Sequence, residues 1–409
     1  MVGMTINDAH VVVNDLLKIV RDGDSTPIPV NTAQFVTQAD MVLRTGYNPV
    51  INAISQVMHK TIFSIRGYNP LFSGLRRTPE EYGNHVRKVT PLDKPFTEDE
   101  AYDLTDGDSK DMYTINKPEV LQTNFYGFVN YEKYLSISEI QLRDAFLNES
   151  QLSQFFSTIM LNARNQIAQA HEEMERALVC NFIGAKKIVD ERNFVDVLAL
   201  YNNITGNSYT ASDIKKPANY PGFAKWLFSY IKTLAQLLRV RSNRYHLNIA
   251  NKNIPRFTPA RNLNFYMFAP EINNIEASVL SDVYHDSYLK LIDFTAVPFW
   301  QNPDTPMSLA VKPSYTDVDG TAKDSTDTIE VDNVLGLLFD EEAMGYAPIN
   351  ERSYVTPFNA KGEYYNQYWK WRTRYWNDLT ENAIVLTLGS STGGDNLVGS
   401  AIVGQATAG

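Results

Sequence analysis

With a single cysteine among 409 residues, Cys180, the chain cannot form an intrachain disulfide. Its fold must rest on packing and hydrogen bonds, and such usage fits synthesis in a reducing cytoplasm and equally a protein indifferent to redox. Histidine is scarce as well. The six, at 10, 59, 85, 171, 246 and 285, show no ligand spacing, so no metal is expected. No stretch approaches the roughly 20 apolar residues of a transmembrane helix. The N-terminus, MVGMTINDAHVVVNDLLKIVRDGD, lacks the apolar run of a signal peptide and reads as a short amphipathic helix over Asn7–Val20, so no membrane is expected. A basic excess is also missing: the net charge of −10 gives no footprint for chain-wide nucleic-acid binding.

Motifs of catalysis are absent or incomplete. There is no GxxxxGK[ST], no GxGxxG and no GxSxG. His171-Glu-Glu-Met-Glu175 begins like a zinc-protease helix but has Glu175 where the second imidazole belongs, and reads as an exposed polar helix face. Asp106–Asp111 and Asp317–Ala322 resemble calcium loops without the glycine and glutamate those loops need, and read as solvated turns. Cys180 reads as a buried structural thiol. The expectation is a protein without catalytic residues or cofactors, and not an enzyme. Hydrophobic content of 44% with 21% charged residues is that of a globular protein, and the length suits two or three domains.

Between Phe128 and Ile183 there is neither glycine nor proline. Ser138 can cap a short helix and Asn148 a longer one. Leu152, Phe155, Ile159, Ala163, Ile167, Ala170, Met174 and Leu178 recur at three- and four-residue steps and predict a long amphipathic helix that Gly184 ends. Before it, Ser73–Tyr134 is broken by Pro79, Pro91, Pro95 and Pro118. It reads as a two-stranded excursion with returning strands near Tyr82–Thr90 and Val120–Leu135 and an acidic middle. Beyond it, Tyr201–Asn219 reads as a loop and Pro221 opens a second helix. Pro270–Tyr284 reads as a further helix. Strands are predicted at Asn262–Phe268, Leu289–Phe299, Thr328–Phe339 and Ala383–Leu388. The basic run Arg239, Arg241, Arg244, His246, Lys252, Arg256 and Arg261 reads as a helix-end and loop surface.

The densest feature is NAKGEYYNQYWKWRTRYWNDLTEN at Asn359–Asn382, where seven aromatics fall within thirteen positions among Lys370, Arg372 and Arg374. Interleaved aromatics and cations suit a single-stranded nucleic-acid platform. Strand periodicity instead puts Trp369, Trp371, Thr373 and Tyr375 on one face, and Lys370, Arg372, Arg374 and Trp376 on the other. The first face is then packed and the cations turn to solvent, a neighbour or DNA. The acidic chain and the single platform favour structure.

The order of elements resembles the major capsid proteins of tailed bacteriophages with the Hong Kong 97-like fold, and among them the phi 29 type. The resemblance rests on the excursion entered through GLRRTPEEY (Gly74–Tyr82) and left through QTNFYGF (Gln122–Phe128), and on the long helix that follows at once. An Asn-x-x-Gly segment at Asn359–Gly362 then leads into the aromatic strand and a last strand, Glu381–Leu388. It implies an α+β fold with peripheral and axial domains, a spine helix at about 148–183 and an extended β-hairpin E-loop at 73–135. The peripheral domain would take 61–72, 136–200 and 355–388, and the axial domain 201–354. An N-terminal arm would occupy 1–60 and a tail 389–409.

The function implied is self-assembly, in the host bacterial cytoplasm, into the pentamers and hexamers of an icosahedral virion capsid around double-stranded DNA. About 60 arm residues are too few for a scaffolding segment, so a separate scaffolding protein is implied, together with a portal protein at one vertex and non-specific contacts to the DNA. Arg76, Arg77, Glu80, Glu98, Asp99, Glu100 and Asp103 of the E-loop become candidates for inter-subunit contact. An encapsulin-type nanocompartment shell is the alternative within the same fold.

Overall fold

The computed structural model describes residues 70–77, 85–92, 96, 99, 104–109, 111–115, 117–138, 149–250, 252, 254–280 and 294–389. The N-terminal arm, the helix following Ser138 and the tail after Gly389 lie outside the described residues, as do Glu80, Glu98, Glu100 and Asp103.

The chain starts with β1 (His85–Pro91), β2 (Val120–Tyr126), β3 (Val129–Ser138) and α1 (Glu149–Val189). Next come β4 (Phe194–Asp196), α2 (Val197–Thr205), α3 (Ala211–Ile214), α4 (Tyr220–Arg239), β5 (Leu263–Phe268) and α5 (Ala269–Leu280). Short strands follow: β6 (Phe294–Val297), β7 (Leu309–Val311), β8 (Ser314–Thr316), β9 (Ala322–Asp324) and β10 (Ile329–Val331). The chain closes with β11 (Val334–Asp340), β12 (Met344–Val355), β13 (Tyr364–Asn377) and β14 (Ala383–Thr387).

These elements form two compact units. Among the described residues, the first takes those before position 83 with Phe128–Met174 and Ala347–Arg374; the second takes Gly83–Gly127, Glu175–Tyr346 and the residues from Tyr375 onward.

In the first unit lies a sheet of order β12-β13-β3. β13 and β3 run antiparallel with Trp369 opposite Lys133 and Trp371 opposite Tyr131. Lys133 donates to Gln166 on α1. The turn before β13 explains the Asn-x-x-Gly pattern: the Asn359 side-chain oxygen accepts from the Lys361 and Gly362 amides at 3.1 and 3.2 Å, an Asx turn that reverses the chain.

The second unit is built on a mixed sheet of order β4-β14-β11-β5-β6. Its central strands are apolar without alternation, as in VLGLLFD and AIVLT, because every side chain of β11 and β14 is buried; a strand covered on both faces has no solvent side to mark. Phe223, Leu227, Ile231, Leu234 and Leu238 of α4 pack with Leu198, Leu200, Phe265, Leu338 and Ile384 in one core. Pro221 stands in the first turn of α4, where its missing N–H costs nothing.

The long helix is longer than its sequence stripe implies, 41 residues or roughly 60 Å. Gly184 does not end it. A Cβ at Gly184 would collide with the Val311 side chain, so this glycine lets β7 approach the helix closely. Among the described side chains the predicted stripe holds in part. Ala163, Ile167 and Leu178 are buried, Ala170 is exposed, and Glu175 and Arg176 lie inside. The HEEME segment is therefore not a wholly exposed polar face: Glu175 is fully buried and His171 and Glu172 are half-buried, and the next residue, Arg176, donates to the Phe299 carbonyl with its guanidinium 3.9 Å from that ring's centroid.

Three further expectations change. Thr328–Phe339 is two strands, because Asn333 takes a left-handed conformation at φ +55° between β10 and β11. Tyr201–Asn219 holds the end of α2 and the capped turn α3, in which Thr210 and Asp213 bond reciprocally. The return strand Val120–Leu135 is broken at Gly127, φ +95°, into β2, which pairs with β1, and β3, which pairs with β13.

Candidate assembly interface

The excursion is a two-stranded antiparallel hairpin, β1 with β2, in register from His85–Tyr126 to Pro91–Val120. Its outer surface is unusually apolar for a segment so rich in acid. Val89, Val120 and Tyr126 on the strands are more than half exposed, and Phe96, Met112, Tyr113 and Ile115 toward the tip are at least 80% exposed. Asp99, Asp106, Asp108 and Asp111 stand among them, also exposed. Arg76 and Arg77 do not belong to this hairpin. They follow the 3-10 turn Ser73–Leu75 in the first unit, where Phe72 and Leu75 are fully buried. Burial first, and then the Arg76 charge, hold His171 of α1 below its usual range.

Alternation along β1 turns Val86, Lys88 and Thr90 inward. Lys88 and Thr90 meet the connection between β13 and β14, Asp378–Asn382, whose polar side chains are almost all buried. The Lys88 ammonium donates to Asp378 at 2.8 Å and to Glu381, and lies 3.4 Å from the exposed Glu342 carboxylate. Arg256 donates to the Thr380 carbonyl at 3.1 Å and to the Thr90 hydroxyl at 3.1 Å, and sits 3.2 Å from Glu381. Asp378 also accepts from the Thr380 amide and hydroxyl at 2.9 and 2.6 Å.

The charges respond to this setting. Burial would lower the Lys88 ammonium, yet Asp378 and Glu381 raise it to about 12. Burial would raise Asp378, but Lys88 and the Thr380 bonds hold it below the carboxylate range. For Glu381 burial prevails over Lys88 and Arg256, and the carboxyl is pushed up to about 7. Beside the cluster the buried His246 ring pairs Nδ1 with Asn382 Oδ1 at 3.1 Å, and burial lowers it to about 4. The basic run that contains His246 and Arg256 is thus in part a structural tie and not wholly a solvated loop. Lys252 reaches Glu119 of the hairpin at 2.8 Å.

On β13 the two-face reading holds from Tyr365 to Thr373 and fails at Arg374. Trp369 and Trp371 are 1% and 7% exposed, which removes them as base-stacking platforms. Tyr375 is only half-buried, its ring 5.8 Å from Tyr346. Lys370 and Arg372 are exposed but engaged within the chain: Lys370 pairs with Glu132 at 2.9 Å, and the Arg372 guanidinium lies 3.4 Å from the Phe128 ring centroid. Arg374 is fully buried and cannot face a neighbour or DNA, because Thr373 and Arg374 are consecutive buried positions where the alternation breaks. The tie among Lys88, Arg256, Asp378 and Glu381 was not legible in sequence. Its members lie up to 293 positions apart, and only the acids bracketing Leu379–Thr380 hint at it.

Among the described residues no group of three or more His, Cys, Asp or Glu is placed to hold a metal ion, and no helix is long and apolar enough to cross a membrane. Asp317, in one calcium-like loop, is paired with Lys323. In the other, Asp108 accepts from the Thr105 amide and hydroxyl at 3.1 and 2.7 Å.

The long helix, the mixed sheet and the two-stranded hairpin make up a fold found in phage capsid structures. The capsid of Staphylococcus phage Andhra superposes with a TM-score of 0.54 at 9% identity, covering 80% of this chain and 86% of that one. A chain from the structure of the head fiber and inner core protein gp22 of native bacteriophage P68 does so at 0.52 and 11%, with the same coverage. The chain belongs to the Phi29-like phage major capsid proteins, whose family model matches residues 13–387. It is a structural protein that forms the phage shell from copies of itself and is a component of the virion. Among curated proteins, none matches it.

Proposed function

We propose that the shell is icosahedral, built of pentamers and hexamers around double-stranded DNA, and that the β1–β2 hairpin is the arm by which each subunit lies over its neighbour. In this reading the first unit is the peripheral domain, with the N-terminal part of α1 as its spine, and most of the second unit is the axial domain. A separate scaffolding protein and a portal vertex complete assembly in the host cytoplasm, and the DNA is met through non-specific contacts. The subunit does no chemistry of its own.

One observation carries the arm: a hairpin without a core of its own exposes Phe96, Met112, Tyr113 and Ile115 almost completely. Two strands alone are marginal in water, and contiguous exposed apolar side chains mark a surface meant to be covered. In a closed shell of identical chains the cover is another copy. The test is electron microscopy of particles formed with co-expressed scaffolding protein. A Met112→Ser/Tyr113→Ser/Ile115→Ser variant is expected to fold as a monomer and to lose particles. Normal particle yield would refute the reading.

A further inference from the structure

The root of the hairpin is seated in part on polar groups. Of the inward positions on β1, Val86 is apolar, whereas Lys88 donates to buried carboxylates and Thr90 accepts from the half-buried Arg256 guanidinium. We propose that Lys88, Arg256, Asp378 and Glu381 form an ionic latch that fixes the root of the β1–β2 hairpin and so sets the direction in which its tip meets a second copy of the chain. The latch deepens the reading of the hairpin as an inter-subunit arm and rests on it.

Charge and geometry support it together. Two cations face two carboxylates, with Glu342 at the exposed rim and Asp340 close by. Asp378 and Glu381 are 2% and 6% exposed, so withdrawal of Lys88 would leave two buried carboxylates against one guanidinium. Breaking a buried ion pair from one side is costly because the remaining charge stays buried. Seating β1 therefore completes a cluster that is unfavourable without it. The contact also favours the observed register, in which Lys88 and Thr90 turn inward together. A slip of one residue would turn Arg87 or Val89 toward the carboxylates and Lys88 outward, since strand side chains alternate. The second tie, Lys252 to Glu119, has both side chains about half exposed and adds little.

The full chain tests this by hydrogen exchange read with mass spectrometry, alongside particle imaging. In Lys88→Met, amides of Val86–Thr90 and Leu121–Phe125 are expected to exchange about tenfold faster or more, while those of Leu335–Phe339 in the sheet stay unchanged and particle yield falls. Lys252→Ala is expected to change neither. A folded Lys88→Met protein with unchanged hairpin exchange would overturn the latch. If Lys88→Met does not fold, Asp378→Asn gives the same reading, because Asp378 is the carboxylate that Lys88 holds ionised: faster exchange confined to the hairpin supports the latch, and unchanged exchange overturns it. The arm fails separately, if the serine tip variant assembles normally while Lys88→Met still frees the hairpin.

Discussion

The Lys370 ammonium lies 2.9 Å from the Glu132 carboxylate, and the two residues are register partners across the antiparallel β3–β13 pair. One position earlier, Trp369 is buried against the covered face. Lys370→Ala is expected to cost at most about 1 kcal/mol, as exposed pairs do. Trp369→Ala is expected to cost about 3–5 kcal/mol. Chemical denaturation of the two variants measures the difference, and equal costs would contradict the assignment of faces.

Gly184 and Val311 give a packing prediction. Gly184→Val should destabilise by about 1–3 kcal/mol because the added side chain has no room beside Val311. Part of the loss should return in Gly184→Val/Val311→Ala. A double variant whose cost is the plain sum of the singles would show that the two sites do not touch.

His246 predicts a pH dependence. Its folded value of about 4 lies below the ordinary 6.5, so the unfolded chain takes up a proton in that window before the native chain does. The contribution is present above pH 6.5 and is lost as pH falls toward 4. His246→Gln, compared with the parent by urea denaturation at pH 4.5, 5.5 and 7, should show a flatter profile. A profile as steep as the parent's would count against it.

Glu381 has the opposite sign. Its folded value of about 7 exceeds the ordinary 4.5, so the native chain holds a proton that the unfolded chain has lost. Stability is fully present below about pH 4.5 and declines as pH rises through 7. Glu381→Gln should abolish that decline between about pH 4.5 and 7, and an unaltered decline would disprove the assignment.

What the sequence revealed depended on range. α1 and α4 are local patterns of three- and four-residue steps, and Pro221 marks a start by its own chemistry, so both helices could be read directly. The Trp369 and Trp371 face was legible because β13 is covered on one side along most of its length. Arg374 was not, since its burial follows from a break in alternation that only the neighbouring strands impose. Gly184 looked like a stop because a glycine that ends a helix and one that admits a neighbour are identical in sequence. The tie at the hairpin root joins β1 to the β13–β14 turn, and nothing local to Lys88 names its partners.

Cys180 bears on the history of the particle. Its thiol is buried, with Sγ 3.2 Å from the Trp300 carbonyl oxygen, and burial pushes it up to about 12. A thiol so protonated and enclosed is a poor nucleophile and a poor target for oxidants. Under the proposed assembly inside a host cell, the virion would exchange that interior for open, aerated surroundings when the host breaks. A shell of this subunit carries no accessible sulfur from that cysteine to record the change.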